Sequence, residues 1–267
     1  MVSGAAAVGP VADGGAPPPR TGIQVVRRTA AVLRAVGDRP DGVRLGELAA
    51  AVSLPKATAH RIVAALVGEQ LLWTDAAGRI WLGSAIGRLA AASSAGLVAR
   101  LHPLLVALGA ALGETVDLSV PDGDRMRFVD QVVSDHRLRA VSAVGSTFPL
   151  HCTANGKALL AALPAARVDA LLVEPLPRFT GHTIVDRREL LDELDRVRSE
   201  GVARDRQEHA SGISALGVVV DDGAGPVAAI SVPVPSERFD GLEDRIEDAL
   251  RATGRRATGL LAGGGTA

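Results

Sequence analysis

Apolar residues first fall into a regular rhythm at Ile23, Val26, Ala30, Leu33 and Val36, with Arg27, Arg28 and Arg34 between them. That spacing predicts an amphipathic helix, which Gly37 and Pro40 end. Residues 1–21 are Gly, Pro and Ala without such a period and predict a disordered tail. A second short helix is predicted from Leu45 to Val52, with Leu45, Leu48, Ala49 and Val52 on one face and Glu47 in the first turn. A third runs from Pro55, as its first helical residue, to about Glu69. At 100° per residue its buried stripe is Ala59, Ile62, Val63 and Leu66, while Ala57, His60, Arg61 and Ala64 face outward. Leu71–Thr74 and Arg79–Leu82 flank the turn Asp75-Ala76-Ala77-Gly78 and predict a β-hairpin. Three helices and a hairpin predict a winged helix-turn-helix over residues 22–83.

Gly83 to about Gly113 is helical in pattern, with a break or kink expected at His102-Pro103. We read residues 84–112 as a linker helix. Beyond it the period shortens to two, and strands are predicted at Thr115–Pro121, Met126–Val133, Leu138–Val144, Gly217–Val220 and Val227–Val232. Helices are predicted at Ala154–Leu163, Arg188–Glu200 and from about Gly241. Residues 113–267 therefore read as an α+β domain with a mainly antiparallel sheet. No apolar run reaches the roughly 18 residues of a membrane span, the N-terminal residues lack the basic start and apolar stretch of a signal peptide, and the single Cys152 points to a reducing, cytoplasmic setting.

Composition adds a division of labour. The 267 residues carry a net charge of −1, but residues 1–95 hold 10 Lys+Arg against 6 Asp+Glu, net +4, leaving 19 against 24, net −5, for the rest. Aromatic residues are 2% of the chain, with no tyrosine. Stacking of unpaired bases on aromatic platforms is thereby excluded, and groove reading by a helix is not.

Three segments carry candidate chemistry. The predicted third helix opens Pro55-Lys56-Ala57-Thr58-Ala59-His60-Arg61, with donors at the end that would enter a major groove and small residues that let the backbone approach. Lys56 and Thr58 suit phosphates, and His60 and Arg61 reach bases or phosphates. Arg79 would act from the wing, while Trp73 and Trp81 read as hairpin packing. The second segment, Leu150-His151-Cys152-Thr153-Ala154-Asn155-Gly156-Lys157-Ala158-Leu159-Leu160, opens a helix and could hold an anion at the helix N-terminus or be a plain cap by Thr153. Its spacing excludes a P-loop, and adjacency of His151 to Cys152 does not make a nucleophile pair. The third, Asp205 to His209 before Ser211–Gly217, reads as a surface loop with one or two inward polar groups rather than a metal site. No metal or cofactor is expected. An enzyme is the rival reading, set aside because no nucleophile, base and orienter emerge together; a winged helix that docks protein is another.

Together these segments resemble the IclR family of bacterial transcriptional regulators across residues 23–262. The resemblance is carried by Leu45-Gly46-Glu47-Leu48-Ala49, Leu54–Arg61, Gly78-Arg79 with Leu82-Gly83, Gly113–Val116, Gly145-Ser146 through Pro149–Ala158, Leu176–Thr180 and Ala228–Val232. It implies a winged helix-turn-helix, a linker helix and a GAF-like effector-binding domain, in a homodimer or tetramer that represses or activates catabolic operons. DNA binding would then involve Arg27, Arg28, Pro55, Lys56, Ala57, Thr58, His60, Arg61 and Arg79, on a near-palindromic double-stranded operator. The effector pocket would fall at Gly145, His151, Thr153, Ala154, Asn155, Asp205, Glu208, Ala215 and Ser231. Ala215 and Pro233 stand where many members have polar residues, which argues against a glyoxylate- or pyruvate-sized ligand and for a larger or more apolar organic acid.

Overall fold

The computed structural model describes residues 21–39 and 41–263. The tail expected over residues 1–21 lies outside them, except for Thr21, which begins the first helix. The chain divides into two compact units between Ala91 and Ala92, and each is taken by itself.

In the first unit α1 spans Thr21–Gly37, β1 Val43–Arg44, α2 Leu45–Ala51, α3 Lys56–Gly68, β2 Leu72–Thr74 and β3 Arg79–Leu82. The hairpin β2–β3 pairs Leu72 with Leu82 and Trp73 with Trp81. The unforeseen two-residue β1 joins it, Val43 opposite Ile80, to complete a sheet ordered β1-β3-β2. Val32, Val36, Val43, Leu48, Val63, Leu66, Leu72 and Ile80 form the core. Val26 is not part of it, being 68% exposed, because the inward face of α1 is made by Val32 and Val36, one turn apart. Pro55 is also displaced from its expected place: its ψ of 138° is extended, so it caps α3 and its carbonyl accepts from the Thr58 and Ala59 amides at 2.9 and 3.0 Å.

Helix α4, Ser84–Leu112, contains the unit boundary and runs through Pro103 without interruption. The carbonyl that Pro103 cannot serve belongs to Ala99, an exposed residue, where water can take the missing amide's place. By length and composition α4 could cross a membrane, contrary to expectation. Its Leu101, Leu104, Leu105, Leu108 and Leu112 instead belong to the core of the second unit.

The second unit continues with β4 Val116–Asp122, β5 Arg125–Val132, β6 Thr147–Pro149, α5 Ala154–Ala162, α6 Ala165–Leu171, α7 Arg187–Glu200, β7 Ala203–Arg206, β8 Ile213–Asp221, β9 Pro226–Pro235, α8 Ser236–Phe239 and α9 Glu243–Ala262. The sheet runs β6-β5-β4-β9-β8-β7, every neighbour antiparallel. Strand alternation sorts its two faces. Val116, Leu118 and Val120 of β4, with Val218 and Ile230, pack with α4 and α9. Residues of the opposite parity, such as Ala203 and Ala229, pack with Leu159 and Leu160 of α5 and Leu190 and Leu194 of α7.

The strand expected at Leu138–Val144 is absent: its large apolar residues Leu138, Val141 and Val144 are 61%, 56% and 60% exposed, and only the small Ala140 is buried. Backbone hydrogen bonding to β5 starts at the left-handed Gly145, whose amide donates to the Phe128 carbonyl at 2.8 Å, and continues as β6.

Candidate nucleic-acid interface and ligand cavity

On α3, Ala59, Val63 and Leu66 are buried and Ile62 is half-buried, which leaves Lys56, Ala57, His60, Arg61 and Ala64 exposed on the other side, with Thr58 half-buried and Pro55 exposed before them. Among the ionisable groups of this face, Lys56, His60 and Arg61, none is engaged in an ion pair in the described residues. On α1, Arg27 is exposed and Arg28 half-buried. Arg79 does otherwise than a free wing residue: its guanidinium donates to the Asp41 and Gly42 carbonyls, both at 3.2 Å, and its amide donates to Asp75 Oδ1 at 2.8 Å. Trp73 and Trp81 stack with centroids 6.0 Å apart, and Trp81 Nε1 donates to Asp75 Oδ2 at 3.2 Å, so both indoles pack within the hairpin.

The start of α5 lies directly on the sheet because two glycines permit it. A Cβ on Gly156 would come within 2.4 Å of the Leu150 carbonyl oxygen, and one on Gly217 of β8 within 2.8 Å of the Ala154 carbonyl carbon. Thr153 caps the helix, its Oγ1 accepting from the Gly156 amide at 3.2 Å and donating to the Pro149 carbonyl at 2.7 Å. Asn155 Nδ2 donates to Ser119 Oγ at 2.9 Å and so ties α5 to β4.

Beside this contact is a cavity of about 70 Å³. Six of the expected effector residues line it: Thr153, Ala154, Asn155, Asp205, Ala215 and Ser231. Three others do not. Gly145 borders a shallow groove with Val98 and Val144, and Glu208 borders an open cleft with Glu193 and Arg204. His151 donates from Nε2 to the Pro177 carbonyl at 2.9 Å and faces a separate cavity of about 250 Å³ with Leu172, Leu176 and Phe179. Sequence reading missed Asp117, Phe128, Phe148, His209 and Ile213, which also line the cavity. Asp117 was accessible to it, since Val116, Leu118 and Val120 on one face of β4 place Asp117 and Ser119 on the other.

The segment read as a surface loop with one or two inward polar groups has two such groups, Asp205 and Glu208, beside exposed Arg206, Ser211 and Gly212. Asp205 lies on β7, and both Asp205 and Glu208 are buried. Charged residues suggest solvent, but here buried partners hold them: Asp205 Oδ1 accepts from the Glu208 amide at 2.7 Å, and Glu208 Oε1 meets Lys157 Nζ at 2.5 Å. Burial pushes the Asp205 carboxyl up to about 7, helped by the nearby Glu208. Burial also pushes Asp117 up to about 7 against hydrogen bonds from Gln131 at 2.6 Å and Ser142 at 3.3 Å. His209 is held below its ordinary value by burial, then by the charge of Arg125, and so faces the cavity uncharged at neutral pH. The Cys152 thiol is pushed up to about 12 by burial and by Asp205 and Glu208, which suppresses the thiolate a nucleophile needs. Among the described residues no group of three or more His, Cys, Asp or Glu is placed to hold a metal ion.

Residues 25–76 match the IclR helix-turn-helix domain, and residues 89–258 match the C-terminal domain of the bacterial transcriptional regulator IclR. The chain is 47% identical over 232 residues to the HTH-type transcriptional regulator Rv1719 of Mycobacterium tuberculosis, covering 86% of this chain and 90% of that one. It is 37% identical over 230 residues to the HTH-type transcriptional regulator TtgV of Pseudomonas putida, covering 86% and 88%. The solved structure of RHA06195 from Rhodococcus sp. RHA1 is similar with a TM-score of 0.61 and 27% identity, covering 90% of this chain and 98% of that one. With both of its units matched in order, the chain belongs to the IclR family of DNA-binding bacterial transcriptional regulators.

Proposed function

We propose that this protein is a cytoplasmic regulator whose affinity for DNA is set by a small molecule bound in its second unit. In this reading α3 enters the major groove, with Lys56 and Thr58 on phosphates and His60 and Arg61 on base edges or phosphates. A homodimer or tetramer presents paired α3 helices to a near-palindromic operator. Val25 and Val26, 52% and 68% exposed on α1, supply apolar surface for such pairing. The effector binds in the cavity beside Asn155, and the linker helix α4 transmits its presence. Coupling of about 1–3 kcal/mol would change operator affinity roughly 5- to 150-fold.

The observation that carries this reading is the cavity itself: six residues expected to bind an effector converge on it, in a chain whose other unit exposes a small-residue, cationic helix face. The test is selection of genomic fragments by the purified full chain, followed by footprinting and titration with metabolite pools. We expect salt-dependent duplex binding, two protected half-sites about one helical turn apart, and a shift in affinity with at least one pool. Absence of salt-dependent duplex binding would move the winged helix to a protein partner.

A further inference from the structure

The sheet of the first unit carries two arginines directly across the ladder from one another. Val43 pairs with Ile80 and both are buried, so the next pair, Arg44 with Arg79, stands on the opposite face. Arg44 is exposed and Arg79 half-buried. Like charges at directly opposed positions of an antiparallel pair destabilise the sheet, and no carboxylate is bonded to either guanidinium. Glu47 Oε2 accepts from the Arg44 amide at 3.2 Å, and the two oxygens of Asp75 accept from the Arg79 amide and from Trp81 Nε1. Among the described residues neither Arg44 nor Arg79 enters an ion pair.

The pair is also held in place. Arg79 Nη1 donates to the Asp41 and Gly42 carbonyls, both at 3.2 Å, and these neutral acceptors orient the guanidinium without cancelling its charge. Its Nε and Nη2 make no hydrogen bond among the described residues. The Trp81 ring lies on Gly42, where a Cβ would come within 2.6 Å of Cε2, and this fixes the same loop against the hairpin. Arg44 is followed at once by α2, the helix before α3. In a helix-turn-helix that preceding helix crosses the phosphate backbone.

Resting on the reading of α3 as the groove helix, we propose that Arg44 and Arg79 together form an anion site for a backbone phosphate of the bound duplex. The phosphate takes charge-assisted hydrogen bonds from Arg44 and from Nε and Nη2 of Arg79, and relieves the like-charge pair that the free protein carries. Such a contact sets affinity and register and carries no sequence information. Arg44 is thereby a DNA-contacting residue on a strand that the hydrophobic pattern did not foresee.

The test is fluorescence anisotropy of the full chain on a duplex recovered by genomic selection and on an unrelated duplex of the same length, across a salt series. Unfolding of the first unit is followed in parallel through Trp73 and Trp81, the chain's two tryptophans. Arg44→Gln should weaken binding to both duplexes by the same factor, roughly three- to tenfold at about 0.15 M salt, and lower the slope of log affinity against log salt by about one per wing. Arg44→Lys, which keeps the charge, should retain the slope. Arg44→Glu should move the two readouts in opposite directions: a carboxylate across from Arg79 raises the unfolding midpoint, while duplex affinity falls further than in Arg44→Gln. A residue with a merely structural role would lose stability and affinity together, and that outcome in Arg44→Gln would overturn the contact. Affinity and slope unchanged in Arg44→Gln and Arg44→Glu, with a wild type that binds, would overturn it too and leave α3 in the groove. A wild type without salt-dependent duplex binding would overturn both readings.

Discussion

Lys157 Nζ lies 2.5 Å from Glu208 Oε1 and 3.0 Å from Glu193 Oε1, and the lysine side chain is fully buried. One cation thus joins α5, α7 and the segment after β7, while Glu208 Oε2 is buried without a hydrogen-bond partner. Burial raises the Glu208 carboxyl even though Lys157 works against it, so the lysine is what keeps this carboxylate tolerable.

Removing the lysine should therefore cost more than removing the pair. We expect Lys157→Met to lower stability by about 3–5 kcal/mol in urea titrations. The double variant Lys157→Met, Glu208→Leu should recover at least half of that loss. A single variant as stable as the wild type would contradict the pairing.

Gly217 bears on the seat of α5. Its neighbours at 2.8–3.0 Å are backbone atoms of Ala154 and Asn155, which cannot swing aside as a side chain would. Gly217→Ala should destabilise the second unit by about 1–3 kcal/mol. Gly87→Ala, on α4 with open space around it, should have the opposite sign or none. Equilibrium unfolding of the two variants compares them directly.

The buried carboxyls give a pH dependence of defined sign. Asp117 titrates near 7 in the folded chain against a usual value of 3.8, so between those values the folded state holds a proton that the unfolded state has lost. Its contribution to stability is greatest below about pH 4, falls as pH rises, and levels off above 7. At about 1.4 kcal/mol per pKa unit, Asp117→Asn should be more stable than wild type at pH 8 by about 2–4 kcal/mol. The advantage should shrink toward pH 4. An advantage that grows on acidification would show that Asp117 is held ionised.

Much of the architecture follows from periodicity, because Val116, Leu118 and Val120, or Ala59, Val63 and Leu66, repeat at the spacing of the surface they bury. The failures have physical causes. Leu138–Val144 has strand composition, but its large apolar side chains, Leu138, Val141 and Val144, are left exposed. Which polar groups around Asp205 point inward depends on Lys157, distant in sequence, which meets Glu208 behind it. The start of α5 was legible as a polar cap. Which of its neighbours share one cavity was not, since His151 is adjacent in sequence to Cys152 and two residues from Thr153 yet turns to the Pro177 carbonyl. The place of Asp117 on the cavity wall is set by the alternation of β4 and not by any motif.

DNA reading by α3 is tested most directly by fluorescence anisotropy on a duplex recovered by genomic selection, measured across a salt series for wild type, Lys56→Ala and Arg61→Ala. Arg61→Ala should weaken binding by about 1–3 kcal/mol, and Lys56→Ala should weaken it and reduce the slope of log affinity against log salt by about one per recognition helix. Affinity and salt slope unchanged in both variants would contradict the assignment of α3 to the major groove.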